Sequence, residues 1–219
     1  MQRIGAISEN AGKIFLAVAS GVLLAAAFPG IGAWYTAWAA LVLLFFAIRT
    51  AEPGRAFCLG FLAGFAHYLM LLYWLVPTMR VYGHIPFIAA VPAFILLAGY
   101  LSLYPSAFAW FLVRCCRRPL VFAVMAPVSW VALEYIRSWA LSGFPWGLLG
   151  YSQYARTRII QIADIFGVYG ISGLLVAANS AVFLLLLCCL RKSWQGLNIG
   201  RIKAAGVLLC VLALFMTAL

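Results

Sequence analysis

Long apolar runs broken by short polar stretches set the pattern of this 219-residue chain. Leu174–Leu190 and Ala204–Leu219 contain no charged residue at all. Lipid offers no partner to a backbone N–H or C=O, so a chain crosses it only as helices or as a closed barrel. Barrel strands alternate apolar and polar residues over segments of roughly 10 residues, whereas these runs are continuous. The pattern predicts an all-α integral membrane protein: a bundle of about seven transmembrane helices in a single polytopic domain, residues 1–219, with no soluble domain. The spans fall at about 13–28, 33–48, 56–76, 85–113, 120–139, 159–190 and 202–219. The first two are short against the ~20 residues that usually cross a bilayer, and they form a tight hairpin around Pro29-Gly30. The fourth is long enough to tilt, or to break near Pro92 or Pro105. The sixth starts outside the hydrocarbon.

Composition strengthens this picture. Hydrophobic residues make up 67% of the chain and charged residues 9%, against roughly 45–50% and 25% in soluble domains. A soluble fold of this size could not hide so much apolar surface. The formal net charge of +11 would suggest a nucleic-acid partner in a soluble protein. Here the basic residues lie between apolar runs and act as topology determinants facing anionic lipid, so no nucleic acid is expected. With the N-terminus inside, the cytoplasmic stretches hold Arg3, Lys13, Arg49, Arg55, Arg114, Arg117, Arg118, Arg191, Lys192, Arg201 and Lys203. The outer stretches hold only Arg80, Arg137, Arg156 and Arg158. Eleven against four is a strong positive-inside bias, and seven spans then place the C-terminus outside.

Much chemistry is excluded. His67 and His84 are the only histidines and lack metal-ligand spacing, so neither a metal nor another cofactor is expected. The six cysteines, Cys58, Cys115, Cys116, Cys188, Cys189 and Cys210, form no CxxC pair and read as buried small apolar residues. The acids are Glu9, Glu52, Glu134 and Asp164, and no nucleophile–base constellation can be assembled, so no catalytic residue is assigned.

The informative stretch runs from Glu134 to Gln153. Glu134 and Arg137 share a helix face at a spacing of three. Either they form a structural ion pair that pins the helix end, or Arg137 reaches a lipid phosphate, which a guanidinium suits geometrically. Gly143, Phe144, Pro145, Trp146 and Gly147 then break the helix at the outer interface. The aromatics there either belong to an interfacial belt or wall a lipid-access cleft, with Tyr151 and Gln153 adding hydrogen-bonding groups. Asp164 reads as a structural acid near the outer surface, and Gly167, Gly170 and Gly173 as small residues that admit a neighbouring helix. Asn179, deeper, is expected to hydrogen-bond a neighbouring helix.

These residues resemble the bacterial apolipoprotein N-acyltransferase family. The likeness is carried by Glu134, Arg137, Leu141-Ser142-Gly143-Phe144-Pro145-Trp146 and Gly150-Tyr151-Ser152-Gln153. Gln161-Ile162-Ala163-Asp164 and Gly167-Val168-Tyr169-Gly170 extend it, and Ala27-Phe28-Pro29, Trp38, Gly60-Phe61, Gly64-Phe65 and Trp74 support it. The resemblance implies a multi-pass protein of the bacterial inner membrane that serves lipoprotein maturation. An acyl chain passes from a phospholipid donor to the N-terminal diacylglyceryl-cysteine of a lipoprotein acceptor, through a thioester on a cysteine. It implies that Gly143, Phe144, Trp146, Tyr151 and Gln153 border the lipid entrance, with Arg137 steadying a headgroup or the loop. The family's Glu-Lys-Cys triad lies in a nitrilase-like domain after the seventh span, and no cysteine here matches that motif. The expectation is the membrane portion of a truncated or split enzyme, with the nitrilase-like domain as a separately encoded partner. The alternatives are an inactive module that docks lipid or lipoprotein, and a small transporter.

Overall fold

The computed structural model describes residues 2–198, 200 and 206–207, all helix, turn or loop apart from an isolated bridge between Trp194 and Leu197. Its helices are α1 (Gln2–Ala26), α2 (Ala40–Ile48), α3 (Pro53–Leu71), α4 (Leu75–Val81), α5 (Phe87–Cys115), α6 (Pro119–Trp139), α7 (Thr157–Ile160) and α8 (Ala163–Cys189). Among the described residues, five helices are long and apolar enough to cross a membrane: α1, α3, α5, α6 and α8. The predicted span at 202–219 lies almost wholly outside the described residues.

Proline sets several boundaries. Pro53 and Pro119 open α3 and α6, and Pro86 is the N-cap of α5. A first-turn proline costs nothing, because its missing N–H would have had no intrahelical partner. Pro92 and Pro105 lie inside α5, which nevertheless runs unbroken for 29 residues.

Three predicted spans differ in detail. Residues 33–48 are not one helix: a 3-10 segment, Trp34–Trp38, meets α2 at Ala39, whose φ of −136° is not helical. The span at 56–76 ends at Leu71, and α4 follows as a separate short helix. The span at 159–190 divides into α7 and α8.

The inter-helix loops gather at two ends. At one, Trp194 Nε1 donates to the Cys116 carbonyl at 2.7 Å, the Gln195 N–H donates to the Arg49 carbonyl at 3.0 Å, and Arg55 hydrogen-bonds Asn10. The basic loops at 49–55, 114–118 and 191–192 therefore share one end. At the other, Gln153 Nε2 donates to the Trp34 carbonyl at 3.1 Å, and Trp74 packs on Trp146 with ring centroids 5.2 Å apart. Between the ends lies an aromatic core in which Phe122 meets Phe45, Phe183 and Trp194. Asn179 stitches α8 to α2: its Oδ1 accepts from the Leu41 N–H at 2.9 Å and its Nδ2 donates to the Ala37 carbonyl at 2.8 Å. That is the inter-helix role expected from its depth. The outer faces expose Phe15, Ile88 and Leu96, residues that water would force inward and lipid does not.

The cysteines are not uniformly buried as expected. Cys58, Cys115 and Cys189 are exposed and Cys116 is buried. Burial, with Cys115 adjacent, pushes the Cys116 thiol up to about 11. The thiolate is the reactive form. A maleimide at neutral pH is therefore expected to modify Cys115 and spare Cys116, with Cys116 reacting only as the pH climbs towards its raised value. Peptide mass spectrometry checks this.

Candidate functional site at the aromatic loop

Helix α6 ends in a strained turn. Leu141, Ser142 and Gly143 take φ of 51°, 77° and 81° in succession, a left-handed stretch that is costly for the two residues with side chains. Gly143 is needed twice over: its φ is positive, and a Cβ there would strike the Ser138 carbonyl. The turn reverses the chain so that the Phe144 N–H donates to the Arg137 carbonyl at 2.9 Å.

Two charged side chains hold the loop from beneath. Glu134 Oε1 accepts from the Leu149 N–H at 2.7 Å, and Arg137 donates to the Gly147 carbonyl at 3.3 Å. Arg137 also hydrogen-bonds the Tyr68 hydroxyl on α3. Glu134 is 5% exposed and Arg137 2%. Among the described residues the ion pair with N–O within 4 Å is Lys13–Glu9, so the expected Glu134–Arg137 pair is not formed. The reason is reach: each side chain leaves the shared face for a backbone group of the loop or for α3. Nor does Arg137 lie open to a lipid phosphate.

Above these anchors stand the aromatics. Phe144 is half-buried against the cluster of Tyr68, Leu72 and Leu101, and Trp146 is 51% exposed with its ring against Trp74 and Phe144. Trp74 in turn lines an apolar groove of about 620 Å³ together with Phe28, Pro29, Ile31, Leu69 and Tyr73. Tyr151 is exposed at the same end. Gln153 is fully buried; it accepts from Trp38 Nε1 at 3.2 Å and donates to the Trp34 carbonyl, which makes it a tie between loops.

The remaining candidates sit on α8. Asp164 is exposed in its first turn, where a negative charge meets the positive end of the helix dipole. Gly167 interrupts the helix with a φ of 62°, and among the described residues nothing lies within 4 Å of where its Cβ would be, so it marks a kink and not the expected close contact. At Gly170 a Cβ would meet Phe166 of its own helix, whereas at Gly173 it would lie 3.3 Å from Val131 on α6.

Sequence reasoning passed over His67, Tyr68 and Trp130, which line a small internal cavity with Tyr104, Glu134 and Arg137. The available signal was a histidine inside the apolar helix α3, where polar groups are costly and rare. Trp130 and Ser172 approach the Glu134 carboxylate, yet among the described residues Glu134 Oε2 and Trp130 Nε1 lack a partner with hydrogen-bond geometry, as do His67 Nδ1 and Arg137 Nε.

The fold and this loop define a polytopic helical membrane protein with an aromatic site at one end, distant from its clustered basic loops. The family model described as the apolipoprotein N-acyltransferase N-terminal domain matches residues 20–181. An apolipoprotein N-acyltransferase of Geobacter metallireducens is 44% identical over 168 residues, which are 77% of this chain and 32% of that protein. Those of Pasteurella multocida and Methylococcus capsulatus are 32% and 35% identical, covering 81% and 74% of this chain and 34% and 32% of theirs. The chain belongs to the apolipoprotein N-acyltransferase family. It spans about a third of the length of these curated relatives.

Proposed function

We propose that this chain is the membrane portion of an apolipoprotein N-acyltransferase of the bacterial inner membrane, which moves an acyl chain from a phospholipid to the N-terminal diacylglyceryl-cysteine of a lipoprotein. The observation that carries the reading is the tethered aromatic loop beside an apolar groove. A groove of about 620 Å³ falls in the range of roughly 300–1,000 Å³ typical of ligand sites. Trp146 meets the groove through Trp74, and Phe144 packs on Trp146 behind it. Gly143 supplies the turn that lifts them, while Glu134, Arg137 and Gln153 fix the loop from below. On this reading the transfer chemistry belongs to the nitrilase-like domain that the family resemblance implies, seated above this loop.

The reading includes topology. The basic loops at one end face the cytoplasm, the aromatic loop faces the outer leaflet, and the chain makes seven passes with its N-terminus inside. The short Trp34–Ile48 segment counts as the second pass.

The test uses the full chain in vesicles with a phospholipid bearing a photoreactive acyl chain. Crosslinks are expected to concentrate on peptides containing Trp74 and Trp146, and Trp146→Ala should lower that labelling several-fold. Uniform labelling of all lipid-facing helices, unmoved by Trp146→Ala, would sink the proposal.

A further inference from the structure

The internal cavity below the loop has a volume of about 30 Å³ and is lined from α1, α2, α3, α5 and α6. That is room for about one or two water molecules and far too small for a lipid. Its wall carries four buried polar atoms without a partner of hydrogen-bond geometry among the described residues: His67 Nδ1 on α3, and Trp130 Nε1, Glu134 Oε2 and Arg137 Nε on α6, although Trp130 and Ser172 approach the Glu134 carboxylate and the Gly21 backbone approaches the His67 ring. Leaving one such atom unpaired away from water typically costs about 1–3 kcal/mol. Four such atoms on residues that line one cavity call for a ligand there.

Their inventory identifies that ligand. Arg137 Nε–H and Trp130 Nε1–H are donors, Glu134 Oε2 is an acceptor, and His67 Nδ1 is an acceptor when the ring proton sits on Nε2. Two donors and two acceptors are the complement of a water molecule, which accepts twice and donates twice. An ion is not called for, because the wall contains both a carboxylate and a guanidinium.

We propose that this cavity is a built water site. Bound water accepts from Arg137 and Trp130 and donates to Glu134 and His67, completing the joint that ties α3 to α6 beneath the aromatic loop. The same two α6 side chains that hold Gly147 and Leu149 thus rest on water with their other polar atoms. The inference stands on the cavity alone and does not depend on the acyltransferase reading.

Pulsed X-ray hydroxyl-radical labelling of the chain in lipid nanodiscs tests it, because radicals generated from bound water modify the side chains beside that water. Tyr68, 4% exposed, is the probe, and the fully buried Phe45, Phe122 and Phe183 are the dry controls. Tyr68 is expected to be labelled several-fold faster than the three phenylalanines. His67→Phe removes one acceptor and fills the space, and should bring Tyr68 down to their level. Tyr68 labelled no faster than the controls in the wild-type chain would overturn the proposal. So would wild-type labelling that persists in a folded His67→Phe chain. If that variant does not fold, the wild-type contrast still decides.

Discussion

Replacing Glu134 with alanine is expected to cost about 3 kcal/mol, the upper end of the usual penalty for leaving buried polar groups without their partner. Three groups lose by it. The Leu149 N–H loses its acceptor, the buried Arg137 loses the nearby negative charge that offsets its own, and the loop between them loses one of its two anchors. Glu134→Gln keeps an acceptor for Leu149 while discarding the charge, and should fall clearly between wild type and alanine. Thermal unfolding in detergent gives the stability ranking. Hydrogen–deuterium exchange over residues 141–153 separates loop release from global loss, since loop amides should exchange faster in the alanine variant under conditions where α5 stays protected. Equal behaviour of the glutamine and alanine variants would show that the backbone anchor contributes nothing.

The second large effect concerns how closely α3 and α5 approach. A Cβ at Gly60 would lie 2.5 Å from the Pro105 carbonyl oxygen, 2.8 Å from Ala109 Cβ and 2.9 Å from Ser106 Cα. Those neighbours are mostly backbone of a long helix and cannot rotate away. Gly60→Leu must drive the two helices apart, and overpacking costs about 1–3 kcal/mol, occasionally more. Between helices in lipid, close packing is itself a main source of association, so the loss is not recovered elsewhere. Gly99, on α5 with nothing among the described residues within 4 Å of its Cβ position, is the matched control, and Gly99→Leu is expected to leave stability almost unchanged. Unfolding in a graded denaturing detergent should separate the two variants widely.

What the sequence disclosed followed from local signals. Helices α5 and α6 agree with their predicted spans to within two residues, because unbroken apolar runs are bounded by proline and arginine. The broken turn at Gly143-Phe144-Pro145-Trp146 was legible from residue type alone. The errors arose where long-range partners decide. Gln153 reads as an interfacial hydrogen-bonding group, yet its partners Trp34 and Trp38 lie 119 and 115 residues away. Glu134 and Arg137 read as each other's partners because spacing reveals only local neighbours; Tyr68, which Arg137 meets, is 69 residues distant. Gly167 reads as a packing residue because composition does not distinguish a kink from a contact. The internal cavity draws its wall from five helices, and no window along the chain contains it.

The break at Ala39 bears on how the protein is made. The segment Trp34–Ile48 is too short to span a bilayer by itself, at about 23 Å for the usual helical rises against ~30 Å of hydrocarbon. Yet seven of the nine residues of α2 are buried, so its surroundings in the finished bundle are protein and not lipid. Such a segment has little to hold it in the bilayer during synthesis until α1 and α3 flank it. Its integration is thus a late, cooperative event of biogenesis, and insertion of a nascent chain halted before Pro53 should leave Ala40–Ile48 on the side of the membrane reached by the end of α1.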